Sequence, residues 1–170
     1  MEEKMKAKFE IKMTNRDMYN FLMYHSYHSF TGIFSIVAGI ALLGYFFWCV
    51  GTGRESSFLY PLFGVLFLVY QPWTLFTHSA KQVTSNPVFK KPLSYEVNET
   101  GITVRQDDTE NEIPWSAVTR VCETSQSILV YTGKRNAFIW VKSQLGDNET
   151  SVRALLTAQV PESKRKLKKG

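Results

Sequence analysis

Three histidines are the first residues with chemistry to offer. His25 and His28 are spaced three apart, on one face if that segment is helical, and His78 lies beyond two long apolar runs. Three imidazoles brought together could bind zinc or copper. No acidic or cysteine ligand sits beside them in sequence, so interfacial polar side chains are the expected reading and no metal is assigned. Cys49 and Cys122 are too few for a disulfide framework or a four-cysteine zinc site. They read as small hydrophobes, with acylation of one of them as the alternative. Asp107-Asp108, Glu110 and Glu112 fall in a hairpin and its strand, a solvated acidic loop rather than a calcium site. Gly51-Thr-Gly53 is too short for a phosphate loop, and no Gly-Lys-Ser/Thr follows it. Asn98-Glu-Thr and Asn148-Glu-Thr are formal sequons that a cytoplasmic location leaves inert. No Ser/His/Asp, Cys/His or paired-carboxylate arrangement stands out. The expectation is no enzyme, no catalytic residue and no cofactor.

The sharpest electrostatic feature is the end of the chain. Lys164, Arg165, Lys166, Lys168 and Lys169 carry five positive charges, as many as the whole net charge of +5. Each basic residue beside an anionic leaflet is worth on the order of 1 kcal/mol. With Lys90 and Lys91 these residues are the candidate lipid-surface contacts. A solvated end that only reinforces topology is the competing reading. The rest of the chain is nearly charge-balanced, so no nucleic acid is expected as a partner.

What must position these groups follows from the apolar residues. The chain has 170 residues and a mean hydropathy of only −0.16, but its apolar residues are concentrated. Residues 31–50 and 58–76 contain no charge at all. Twenty helical residues rise about 30 Å, the thickness of a bilayer core. Tyr60, Tyr70 and Trp73 sit toward the ends of the second run, as in a headgroup belt. Two buried helices of a soluble protein are the alternative, but too little polar chain remains to wrap them. A signal peptide would not begin after 30 structured-looking residues. The spacing therefore predicts transmembrane helices over 31–50 and 58–76, joined by the extracytoplasmic linker 51–57. Ser35, Gly39 and Gly64 offer small residues for close helix approach, or are ordinary membrane glycine usage. The linker holds one basic residue, Arg54, against five before it and fourteen after residue 77. The positive-inside rule puts both termini in the cytoplasm of a two-span, multi-pass protein of the cell membrane.

Residues 5–13 alternate strictly between apolar and charged, which predicts a half-buried strand. A lone strand is unstable, so this one needs the sheet encoded after residue 90. Thr14 or Asn15 then caps a helix that leads toward the first span, completing an N-terminal segment 1–30 of strand and interfacial helix. A linker over 77–91 follows the second span. Strands are predicted over 93–97, 102–106, 112–115, 118–123, 128–131 and 137–141, and a capped helix over 147–160 ended by Pro161. Trp115 is expected to pack in the core or at a structural corner, with ligand contact as the alternative. Residues 92–160 so form a small roll or sandwich of pleckstrin-homology (PH) type closed by a C-terminal helix, and 161–170 a basic tail. The fold class is an α+β membrane protein.

The stretch Lys91-Pro-Leu-Ser-Tyr-Glu-Val-Asn-Glu-Thr-Gly-Ile-Thr-Val104, followed by Ile113-Pro-Trp115, Val118, Val121, Glu123-Thr124 and Phe138-Ile-Trp-Val141, resembles the YcxB-like family, as does Tyr70-Gln-Pro72. The resemblance implies a small bacterial membrane protein with a helical hairpin and a C-terminal domain like bacterial PH domains. It carries over no catalytic residues. The leading functional expectation is a non-enzymatic interaction or regulatory module acting on another membrane protein or on itself. A binder of anionic lipid headgroups is the second. An oligomeric transport or peptide-immunity protein is the third, with Gln71 beside Pro72 the one strongly polar residue near a span.

Overall fold

The computed structural model describes residues 5–133 and 136–167. In chain order, β1 (Ala7–Ile11) precedes the helices α1 (Asn15–Tyr27), α2 (Phe30–Gly51), α3 (Leu59–Ser85) and the short α4 (Pro87–Lys90). Six strands follow: β2 (Leu93–Val97), β3 (Gly101–Gln106), β4 (Thr109–Pro114), β5 (Arg120–Glu123), β6 (Ser127–Tyr131) and β7 (Ala137–Val141). The chain closes with α5 (Lys142–Leu145), α6 (Asn148–Gln159) and β8 (Arg165–Lys166). Two compact units result: residues 15–82, and a second unit built from 1–14 together with 83–170.

The helical unit contains two helices long and apolar enough to cross a membrane, α2 and α3. Ser29 caps α2, its hydroxyl accepting from the Gly32 N–H at 3.2 Å. The helix expected over 58–76 runs nine residues further, to Ser85. Nothing between Thr77 and Ser85 breaks a helix, and the stop comes only at Asn86-Pro87, where proline disfavours helical backbone at the residue before it. Gly39 and Gly64 lie where α2 and α3 approach closely. A Cβ built on either would lie 3.1 Å from the other's carbonyl oxygen. Ser35 instead bonds within its own helix, to the Thr31 carbonyl at 3.0 Å. Gly39→Leu should therefore force α2 from α3 and cost about 2 kcal/mol by overpacking. Thermal unfolding of the helical content in detergent reads this. Gly44→Ala is the control, because a Cβ at Gly44 meets nothing within 4 Å.

The second unit is two four-stranded sheets, ordered β1-β2-β3-β4 and β7-β6-β5-β8. The N-terminal strand supplies an edge of the first sheet, with Phe9 opposite Tyr95 and Ile11 opposite Leu93. Its alternation is visible in burial, since Ala7, Phe9 and Ile11 are buried and Lys8 and Glu10 are not. Two long helices thus separate β1 from its partner strand in sequence. Phe9 stacks on Tyr95 and meets Trp140 edge-on, with centroids 5.5 and 5.4 Å apart, which joins the sheets. Val152, Leu155 and Leu156 are the buried face of α6.

Two local readings of the sequence change. Trp115 is not in a strand: it opens a 3-10 turn, and its Nε1 donates to the Asn98 carbonyl at 3.0 Å, a corner tie between turns. The large buried ring is Trp140. The tail is not free as far as residue 166. Arg165 and Lys166 pair in parallel with Val121 and Cys122, and the Arg165 guanidinium donates to the carbonyls of Val160 (2.7 Å) and Thr157. These are carbonyls that the end of α6 leaves without helical partners. Arg165→Ala should free the tail and cost about 1 kcal/mol. Faster amide exchange at residues 164–166, with the rest of the unit unchanged, would show it.

Candidate functional site

The register of the first sheet fixes which side chains share its inner face. One row is Phe9, Tyr95, Val104 and Asn111; the next is Ile11, Leu93, Gln106 and Thr109. Both rows run from apolar to polar as they approach β4. Every β4 residue except Ile113 is exposed, although β4 is paired to β3 along its length. The strand overhangs the second sheet, and a groove of about 740 Å³ opens beneath it. Ile11, Met13, Leu93 and Val104 line its floor, β7 contributes Phe138 and Ile139, and Val88 and Phe89 form the far wall.

That wall is held in place by Gln106, whose Nε2 donates to the carbonyls of Val88 (2.8 Å) and Lys91 (3.2 Å). At the rim Lys91 Nζ donates to both oxygens of Asp107 at 2.8 Å. Both side chains are more than half exposed, so this pair adds little stability. Asp107 is in the left-handed region at φ 51°, which the two-residue turn between β3 and β4 demands. Burial pushes the Tyr95 phenol up from its ordinary value. Among the described residues the walls carry no histidine, cysteine or serine. The site offers apolar surface and a polar rim, which suits binding.

The residues singled out from the sequence fall elsewhere. His25 lies beside Phe21, and His28 Nδ1 is 2.8 Å from the Tyr24 carbonyl. His78 is on α3. Among the described residues no three His, Cys, Asp or Glu side chains converge as a metal site. Cys49 and Cys122 are buried free thiols. Of the basic set, Lys91 reaches the groove rim, Lys90 ends α4, and Lys164, Arg165 and Lys166 belong to the folded C-terminal segment. Lys168 and Lys169 lie outside the described residues.

A charged cluster went unrecognised in the sequence. Glu123 is fully buried at the end of β5 and pairs with Lys142 of α5 and Arg153 of α6. Glu149 lies 3.2 Å from Arg153. The signal was a carboxylate directly after Val121-Cys122 in a buried strand. The cluster ties strand to helices and faces no cavity described above.

Residues 97–155, from the end of β2 into α6, match the family model described as YcxB-like protein. The family resemblance drawn from the sequence holds over that segment, which contains β3 to β7. The comparison with curated proteins returns no match, and neither does the comparison with solved structures.

Proposed function

We propose that this chain, YcxB-like over residues 97–155, is a membrane-anchored interaction module: α2 and α3 cross the bilayer, and the PH-like sandwich binds a partner protein on the cytoplasmic side. The observation that carries the reading is the apolar groove beneath β4, of a size usual for binding sites and open at a sheet edge. Topology supports the anchoring. β1 precedes both long helices and β2 follows them, yet they are neighbours in one sheet. An even number of crossings is the only arrangement that returns the chain to its own first strand. The distribution of Lys and Arg gives the same orientation. The proposed activity is non-enzymatic, acting through contact.

Crosslinked capture from native membranes tests this, comparing the full chain with Val88→Asp. Val88 is exposed on the groove wall, so the substitution spoils the groove without touching the core. A partner recovered by the wild type and lost by the variant is the expected result. Equal recovery by both would contradict the reading.

A second reading, binding of anionic lipid, is favoured by one feature of the helical unit. Arg16, Tyr19, Val69, Trp73 and Phe76 line a groove of about 580 Å³. Among the described residues Arg16 has no ion pair, and Trp73 and Phe76 are exposed beside it. A headgroup phosphate at Arg16 with an acyl chain along α3 fits this chemistry better than the tail does. Loss of co-purifying anionic phospholipid in Arg16→Gln would support it, and unchanged lipid content would remove it.

A further inference from the structure

The free edge of β4 says what kind of partner the groove takes, an inference that rests on the interaction-module reading. β3 and β4 join through the two-residue turn Asp107-Asp108, with Gln106 opposite Thr109. The pair flanking such a turn is hydrogen-bonded, and antiparallel pairs then alternate between bonded and non-bonded. Thr109, Asn111 and Ile113 therefore spend their backbone groups on β3. Glu110, Glu112 and Pro114 turn theirs outward, toward the edge. Pro114 agrees with this assignment, because proline is tolerated where no ladder donor is needed. Among the described residues no strand pairs with this edge, so the outward amides of Glu110 and Glu112 are an unfilled strand template. It borders the groove, which β4 lines with Thr109, Asn111, Glu112 and Ile113.

Charge selects among occupants. The turn and edge carry Asp107, Asp108, Glu110 and Glu112. Lys91 answers Asp107 and Arg105 answers Glu110. Among the described residues Asp108 and Glu112 have no ion pair, so the edge is net acidic. A second copy of this edge would set carboxylate against carboxylate, and cross-strand like charges are destabilising. An anionic bilayer surface would be repelled as well.

We propose that β4 receives an extended segment of a partner protein as a fifth strand of the first sheet, with apolar residues at alternate positions entering the groove and basic residues between them meeting Asp108 and Glu112. Main-chain bonds to Glu110 and Glu112 supply affinity, and the alternation supplies specificity.

The test uses the full chain in nanodiscs of zwitterionic lipid and the fluorescein-labelled probe Lys-Val-Lys-Val-Lys-Ile-Lys, read by anisotropy. The alternating basic probe should bind at least about tenfold tighter than its scrambled form Lys-Lys-Lys-Val-Val-Ile-Lys or the same alternation with Glu for Lys. Glu112→Pro removes an edge donor without breaking the β3 ladder, and Glu112→Thr removes only the charge. The proline variant should bind about tenfold more weakly than the threonine variant. In the wild-type chain, amide exchange at Glu110 and Glu112 should slow when the probe binds, a readout that does not depend on any variant folding. Equal binding of the three probes, or unchanged exchange at those two amides, overturns the proposal. Loss of partner capture in Val88→Asp together with no probe binding would also overturn it while leaving the interaction-module reading in place.

Discussion

Trp140→Ala should destabilise the sheet unit by about 3–5 kcal/mol, the range for emptying a large aromatic site from a packed core. Trp140 is fully buried and meets Phe9 and Tyr95 edge-on, at 5.4 and 5.9 Å between centroids. Phe9 belongs to the strand before the helices and Tyr95 to the strand after them, so this ring joins the two chain segments through one contact set. The truncation should loosen β1 first. Chemical denaturation reads the loss, and limited proteolysis near residues 5–13 reads the loosening. Trp140→Phe is the informative companion. Among the described residues Trp140 Nε1 is buried without a hydrogen-bond partner, so the phenyl ring keeps part of the packing and removes an unsatisfied donor. It should cost clearly less than the alanine. Equal costs for the two would mean that ring contact with Phe9 and Tyr95 does not hold the sheets together.

Glu123→Ala should cost about 3 kcal/mol, the scale for breaking a buried ion pair by removing one partner. The Glu123 side chain is fully buried, and Lys142 and Arg153 are each less than a third exposed. Removing the carboxylate takes the buried partner from both cations, with Glu149 3.9 Å from Lys142 and 3.2 Å from Arg153. Glu123→Gln keeps an acceptor and should cost about half as much. Removing one cation at a time, as Lys142→Met or Arg153→Met, should cost less than Glu123→Ala, because the other still answers the carboxylate. Denaturation midpoints across the four variants check this order. A Glu123→Ala protein as stable as the wild type would show that the cluster is ornamental to the fold.

Elements with a strong period were legible in the sequence. The alternation of residues 5–13 predicted β1 and its need for a distant sheet, and it pairs with β2. Leu93–Val97 and Ala137–Val141 were framed by turn residues and form strands with those bounds. The two uncharged runs became the two long apolar helices. What stayed hidden had no period to show. β8 is two basic residues paired in parallel with β5, and Arg-Lys in a basic run looks like any solvated tail. Glu123 reads as a surface charge until Lys142 and Arg153 arrive from two later helices. The extra turns of α3 lie in polar sequence, where a search for apolar spans stops counting. The groove was the least legible feature, because its walls come from segments spread between residues 11 and 139. Its one trace is β4 itself: Thr109 and Asn111 are polar at positions that face inward by register, the mark of a strand that no second sheet covers.

The measurement that bears most directly on the account is the sidedness of three exposed positions. Lys8→Cys sits on β1, Glu55→Cys between the long helices, and Asp108→Cys in the turn before β4. The native thiols are buried, so the wild-type chain serves as the blank for a membrane-impermeant maleimide applied to intact cells. The account predicts labelling at position 55 in intact cells, and labelling at 8 and 108 only after lysis. Positions 8 and 108 on opposite sides, or 55 on the same side as either, would contradict a hairpin that anchors one domain built from both of its flanks.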